Sequence, residues 1–286
     1  MTSEASPRDE PTFPELAYTR LSPPLRKDQT EHPQSIIFLH GGESCHLEFT
    51  RIAPLLQDTY EILLVDLPGH SRSRAIPFSF DNAVKGLVHL VKSQIKDGQA
   101  HIVGLSLGGI VGLEFARKHP ELLRSLWCTG SAPFSGFKRW LISRSLLMSG
   151  LVAAAGTLAN ERMFWASLGK DVEPIAGLRV EVQRNQNFGA MRRMFDELAT
   201  FTVHSLEPIT NVRIAFIAGG RQDSVEDTLT AGEVLRKKNP ESRAFVVRNA
   251  IHWWSLQMPE LFAQGVKAWI EGKEMPRDFE PLLTDS

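Results

Sequence analysis

Gly104-Leu105-Ser106-Leu107-Gly108 is the segment of this chain best suited to chemistry. A serine hydroxyl is a weak nucleophile, and it gains reactivity when a sharp turn presents it to a base. A short apolar run, residues 101–104, leads into the serine, and helical spacing starts at Leu107. Ser106 therefore sits on a strand-to-helix bend. Such a bend is strained, so the residues two before and two after it must lack bulk. Gly104 lets strand and helix approach closely, and Gly108 and Gly109 keep the helix start free of side chains. The hydroxyl then stands over a helix N-terminus, whose free N–H groups favour developing negative charge. The same five residues also suit a plain glycine-rich turn with a serine cap, so the partners decide.

The elements that would position this serine alternate along the chain. Residues 35–40, 61–66, 101–104, 122–128, 212–218 and 243–247 are short apolar runs of the kind that buried strands show. Residues 15–21 suit a further short strand. Helical spacing marks residues 47–56, 80–95, 107–118, 228–238 and 255–271, with Ser79 or Asp81 as N-cap of the second. Strands alternating with helices predict βαβ units and a mostly parallel sheet flanked by helices, an α/β fold. Residues 131–206 break the rhythm: they carry no clear strand and are rich in Leu, Met, Phe, Trp and Ala. The expected division is a loose arm over 1–34, a core over 35–130 and 207–286, and a helical insertion over 131–206.

From residue 35 onward the sequence resembles the α/β-hydrolase superfamily. His40-Gly41-Gly42 is similar to the oxyanion segment of that family, and residues 66–73 to its D-x-P-G-H-G-x-S loop, with Ser71 where glycine is usual. Gly220-Arg221-Gln222-Asp223 follows a strand as the family's acid does. His252 follows the last strand, although Ala250-Ile251 replaces the glycine often found before it, and Pro259-Glu260-Leu261-Phe262 resembles the start of the final helix. The resemblance implies a Ser106–His252–Asp223 triad in the family's chain order. His252 takes the serine proton and returns it to the leaving group, and Asp223 fixes the imidazole tautomer. The amides of Gly42 and Leu107 form the oxyanion hole, and the insertion forms a helical cap. His40 and His70 are expected to shape their loops. Cys45 is not a nucleophile candidate, because no sharp turn presents it. Substrate-binding candidates are Glu43 after the oxyanion glycine, Trp140 and Trp165 in the cap, and Trp253 beside His252, which either walls the leaving-group side or packs the loop.

The expected activity is a serine hydrolase cleaving an ester, thioester or related acyl bond of a small apolar or aromatic substrate, since the cap offers adaptable methionines and flat rings. The same triad also serves acyl transfer, cyclisation, C–C bond cleavage or lyase chemistry, and the sequence does not choose among them. A non-enzymatic scaffold would more naturally have lost a triad member. No metal-ligand spacing and no phosphate- or dinucleotide-binding glycine pattern occurs, so neither metal nor cofactor is implied. A formal charge of −1 and a pI near 6.8 ask for neither nucleic acid nor an anionic membrane as partner. The apolar stretch over 141–158 is too interrupted for a confident membrane span. With two cysteines and no secretory pattern in the first residues, a cytoplasmic protein is expected. Oligomeric state is left open.

Overall fold

The computed structural model describes residues 13–24, 32–169 and 172–282. Much of the expected arm, residues 1–12 and 25–31, lies outside the described residues. Among those described, one sheet holds β1 (Tyr18–Leu21), β2 (Ser35–Leu39), β3 (Glu61–Val65), β4 (Ala100–Leu105), β5 (Leu123–Thr129), β6 (Ile214–Gly219), β7 (Arg243–Val247) and β8 (Glu280–Pro281). The order across the sheet is β1-β3-β2-β4-β5-β6-β7-β8. β2 to β7 pair in parallel, and β1 and β8 close the edges antiparallel.

Alternate side chains of each central strand feed opposite layers, as the two-residue period of a strand requires. Ile37, Leu39, Leu63 and Val65 join the core shared with α2 (Phe80–Gln94), α3 (Leu107–Lys118) and α9 (Val225–Lys238). Ile36, Phe38, Ile62 and Leu64 join the core shared with α1 (Ala53–Leu56) and α11 (Pro259–Ile270). Both faces are thus covered, which explains why the strands read as unbroken apolar runs. The Ser79 hydroxyl caps α2 by accepting the Asn82 N–H at 3.0 Å. Among the described residues between β5 and β6 lie five α-helices and no strand: α4 (Gly136–Ile142), α5 (Ser145–Leu158), α6 (Glu161–Leu168), α7 (Leu178–Asn185) and α8 (Phe188–Thr200).

Three expected helices differ by more than a residue. The helix expected over 47–56 is a 3-10 turn, His46–Phe49, followed by α1, because Pro54 lacks the N–H that would continue one helix through the segment. The helix expected over 255–271 is split into α10 (Trp254–Gln257) and α11 by Pro259, with Met258 at φ −136° ending the first piece. α9 starts three residues earlier than expected, at Val225, because Ser224 caps it by accepting the Asp227 N–H at 3.1 Å.

Chain order reverses direction between β2 and β4: β3 lies on one side of β2 and β4 on the other. In an open α/β sheet the crevice outside the carboxyl ends of such strands is where ligands bind. The segments after β2 and β4 are Gly41-Gly42 and Ser106. Ser131, Asp223 and His252 follow β5, β6 and β7 at the same edge of the sheet.

Candidate active site

Ser106 has φ +53° and ψ −115°, a backbone conformation that costs a non-glycine residue about 1–3 kcal/mol. The neighbouring glycines show why the bend closes. A side chain on Gly104 would collide with the Gly108-Gly109 backbone, and one on Gly108 with the Leu39 and His40 carbonyls. The bend is held from the β5 side. The Ser106 N–H donates to the Thr129 carbonyl at 2.8 Å, and the Ser131 hydroxyl lies 3.0 Å from the Ser106 carbonyl. Ser106 is partly exposed, whereas the residues on either side of it are buried.

Asp223 and His252 meet directly. Asp223 Oδ1 lies 2.6 Å from His252 Nδ1, while Oδ2 accepts the Gly219 N–H at 2.7 Å. The His252 N–H donates to Gln222 Oε1 at 2.8 Å, so the acid loop also holds the histidine backbone. With Nδ1 engaged, Nε2 is the ring nitrogen left for a second partner. Burial lowers the imidazole pKa, but the hydrogen bond and charge of Asp223, aided by Glu48, outweigh it and raise the pKa above 6.5. Gly130 makes room for this pair: at φ +60°, a Cβ there would lie 2.7 Å from His252 Cε1 and 3.2 Å from Asp223 Oδ2. No hydrogen bond joins Ser106 Oγ to the imidazole among the described residues. Such bonds commonly tighten only when substrate is bound.

Gly42 and Leu107 come side by side: a Cβ on Gly42 would lie 3.9 Å from that of Leu107. The Gly42 N–H donates to no acceptor among the described residues, and Leu107, at the first position of α3, has none inside its helix. Met194 of α8 rests on this spot, its sulfur 2.9 Å from where a Gly42 Cβ would be. Buried around Met194 are Met191, Phe195 and Leu198, in the same apolar cluster as Leu107.

The loops beneath are tied by neutral histidines. His40 Nε2 accepts the Leu67 N–H at 3.0 Å, and Nδ1 donates to the Gly41 carbonyl at 2.7 Å. His70 Nε2 accepts the Glu43 N–H at 3.3 Å, and Nδ1 donates to the Pro68 carbonyl at 2.9 Å. Burial lowers both rings, His40 to about 4 and His70 to about 3. Ser71 has φ +44°, the left-handed conformation that glycine adopts readily, which accounts for the usual glycine there. Ala250 and Ile251, by contrast, have no positive φ and need no glycine.

The four further candidates have different surroundings. Glu43, at φ +69°, accepts from Gln186 Nε2 at 2.6 Å, and burial raises its carboxyl pKa against the pull of that bond and of His252. Trp165 is buried with Cys45, Leu178 and Ile251, and its indole N–H has no partner among the described residues. Trp253 meets Phe164 edge-on at 5.9 Å. Trp140 is instead 48% exposed, stacked on Phe137. Two residues that the motifs did not single out join the insertion to the site or underlie it. Asn185, fully buried at the end of α7, donates to the Glu43 and Ser44 carbonyls at 3.0 and 2.8 Å and accepts the Ser71 N–H at 3.0 Å. Glu48, also fully buried, accepts the Gly41 N–H at 3.1 Å and lies 3.2 Å from the Ser255 hydroxyl, bridging the segments after β2 and β7. Glu48 stands four residues before the apolar Ile52 within the helix expected over 47–56, a spacing that could have pointed to a buried side chain, although the segment is in fact a 3-10 turn followed by α1.

Cys45, His46 and Asp66 offer donor atoms within 4.8 Å of one another. The set fits a metal poorly. Asp66 is already bonded to His46 at 2.9 Å and to Arg72 at 2.5 Å, and burial pushes the Cys45 thiol up to about 12, away from the thiolate a metal needs. A cavity of about 120 Å³ lies beside the Asp223–His252 pair, lined also by Gly130, Phe134, Lys138 and Asp227. A larger one of about 500 Å³ opens next to it, between Phe134, Arg139, Thr202 and Asp227, away from Ser106.

A family model described as the alpha/beta hydrolase fold matches residues 34–259. The chain belongs to this family. Within the α/β-hydrolase family, it is 29% identical to an AB hydrolase superfamily protein of Gibberella zeae, over 87% of this chain and 84% of the other. It is 27% identical to the pimeloyl-[acyl-carrier protein] methyl ester esterase of Neisseria meningitidis, over 86% and 97%. A thermophilic esterase from Thermogutta terrifontis superposes with a TM-score of 0.69 at 18% identity, covering 90% of this chain and 93% of that one, a likeness of fold. The chain is an enzyme of the α/β-hydrolase fold.

Proposed function

We propose that this enzyme is a serine hydrolase of small acyl esters or thioesters whose acyl part is apolar or aromatic. The observation that carries the reading is the Asp223–His252 contact of 2.6 Å at the sheet edge where the strained Ser106 turn also stands. In this mechanism His252 Nε2 takes the Ser106 proton as the oxygen attacks the acyl carbonyl. The Gly42 and Leu107 amides hold the oxyanion, and one such donor is typically worth about 10²–10³ in rate. The imidazolium, held by Asp223, returns the proton to the leaving alcohol or thiol as the acyl-enzyme forms. Water, deprotonated by the same ring, then attacks the acyl-enzyme, and the Ser106 oxygen leaves with the proton. The apolar cluster of Met191, Met194, Phe195 and Leu198 beside Leu107 supports an apolar acyl group. The methyl ester esterase relative supports ester cleavage. A fluorophosphonate probe should label Ser106 in the wild type and leave Ser106→Ala unlabelled, and an acyl-ester panel should turn over only with the former. Turnover retained in Ser106→Ala, or an intact protein that never labels, would overturn the reading. Product profiles with and without an added alcohol separate hydrolysis from acyl transfer.

A further inference from the structure

We infer that the outer face of α4 and α5 docks on an anionic lipid surface, lying in the headgroup region without crossing the bilayer. The observation is a bare apolar face. α5 carries no charged residue from Ser145 to Leu158. Its inner side packs on α8, where Ser149 and Gly156 are buried. Its outer side leaves Leu146, Leu147, Leu151 and Leu158 between 49% and 79% exposed. At helical spacing these four leucines fall within an arc of about 140°. A helix apolar all round is normally covered on all sides, and this one is covered on one. α4 extends the face with Phe137, 71% exposed, stacked on Trp140 at 5.2 Å. Leucine with aromatic rings is the composition that settles at the boundary between headgroups and acyl chains.

Charge selects the occupant. Arg144 borders the face at the start of α5, while Lys138 and Arg139 of α4 border the cavities toward α9; all three are exposed and without an ion pair among the described residues. No acid occurs from Leu122 to Asn160. The guanidinium of Arg144 lies 3.5 Å over the Trp140 ring. Asp223, Glu226 and Asp227 share with Lys138 and Arg139 the two cavities on that side of α4, away from the leucines of α5. The whole chain has a net charge of −1, so the basic character is local and invisible in the total. A second copy docked two-fold on the same face would bring the same cations toward each other, whereas an anionic surface neutralises them. The bend of 82° between α4 and α5 keeps the pair from forming one straight rod. No single helix among the described residues is long and apolar enough to cross one.

The test is co-sedimentation of the full chain with vesicles of phosphatidylcholine alone and with vesicles that also contain phosphatidylglycerol. Binding should favour the anionic vesicles by roughly tenfold or more and weaken with salt, given the worth of each juxtamembrane cation. Leu147→Gln/Leu151→Gln should lower the affinity by at least about tenfold, while circular dichroism and melting temperature match the wild type. Arg144→Glu, on the rim, should weaken binding to the anionic vesicles alone. Three results would overturn the proposal: no binding to either vesicle, binding that the glutamine variant retains in full, or a concentration-dependent dimer that the glutamine variant dissolves, which would assign the face to a second copy.

Discussion

Replacing Glu48 with glutamine probes the floor of the site. The carboxyl is fully buried, with one oxygen 3.1 Å from the Gly41 nitrogen and the other 3.2 Å from the Ser255 hydroxyl. Burial pushes its pKa from 4.5 up to about 7. The folded protein therefore holds this proton more tightly than the unfolded chain does. The stability linked to the proton is complete below pH 4.5 and is lost as pH rises to about 7. At about 1.4 kcal/mol per pH unit, the loss amounts to about 3 kcal/mol. Glutamine is neutral throughout; its oxygen still accepts the Gly41 N–H, and its amide donates to Ser255. The stability difference between Glu48→Gln and wild type should be small at about pH 5 and reach about 3 kcal/mol in the variant's favour by about pH 8. The buried histidines, His40 and His101 at about 4 and His70 at about 3, act in the opposite sense. They cost stability as pH falls below 6.5, and being common to both proteins they cancel in the difference. Urea unfolding of both proteins across this range is the assay. Because Glu48 helps hold the His252 proton, the acid limb of the variant's pH–rate profile should also move to lower pH. A stability difference that does not change with pH would refute the reasoning.

Three further outcomes follow from the same geometry. Wild-type activity should rise with pH around a midpoint above 6.5, as the raised His252 loses its proton; Asp223→Asn should lower that midpoint and reduce kcat by on the order of 10⁴. Gly130→Ala places a methyl group 2.7 Å from His252 Cε1 at φ +60°, and steady-state kinetics should show kcat down by roughly 10² or more with KM changed less. Met194→Ala should cost about 2 kcal/mol or more in chemical unfolding and raise kcat/KM for bulky acyl esters relative to acetyl esters, because its sulfur sits on Gly42.

The segments around Ser106 were legible because their physics is local. A buried strand, a bend needing glycine and a helix that stops before Pro120 each leave a residue pattern, and α3 spans the 107–118 that its spacing predicts. The helix break at Pro54 was legible in principle, but apolar spacing ran through it and masked it, whereas the start of α11 at Pro259 matches the helix start that the resemblance of residues 259–262 implied, although the spacing had run the helix from 255. β8 holds two residues, too few to show any period. Gly130 and Asn185 were not legible, since what they do depends on neighbours more than a hundred residues away: Gly130 on His252, Asn185 on Glu43 and Ser71. Glu48 reads as a surface acid, since its burial depends on Gly41 and on Ser255, a residue more than two hundred positions away. The exposure of Trp140 shows the limit of composition, which counts aromatic rings in the insertion without saying which way they point.

Asn185 also decides where the five-helix segment is tied to the sheet's loops. Three main-chain hydrogen bonds from one side chain fasten the end of α7 to the loops after β2 and β3, and the adjacent Gln186 adds a fourth bond, to Glu43. Separating α7 from these loops would strand several buried polar groups at once. On the other flank, α4 buries none of its residues. The five helices are therefore fastened to the sheet's loops far more firmly at Asn185 than along α4.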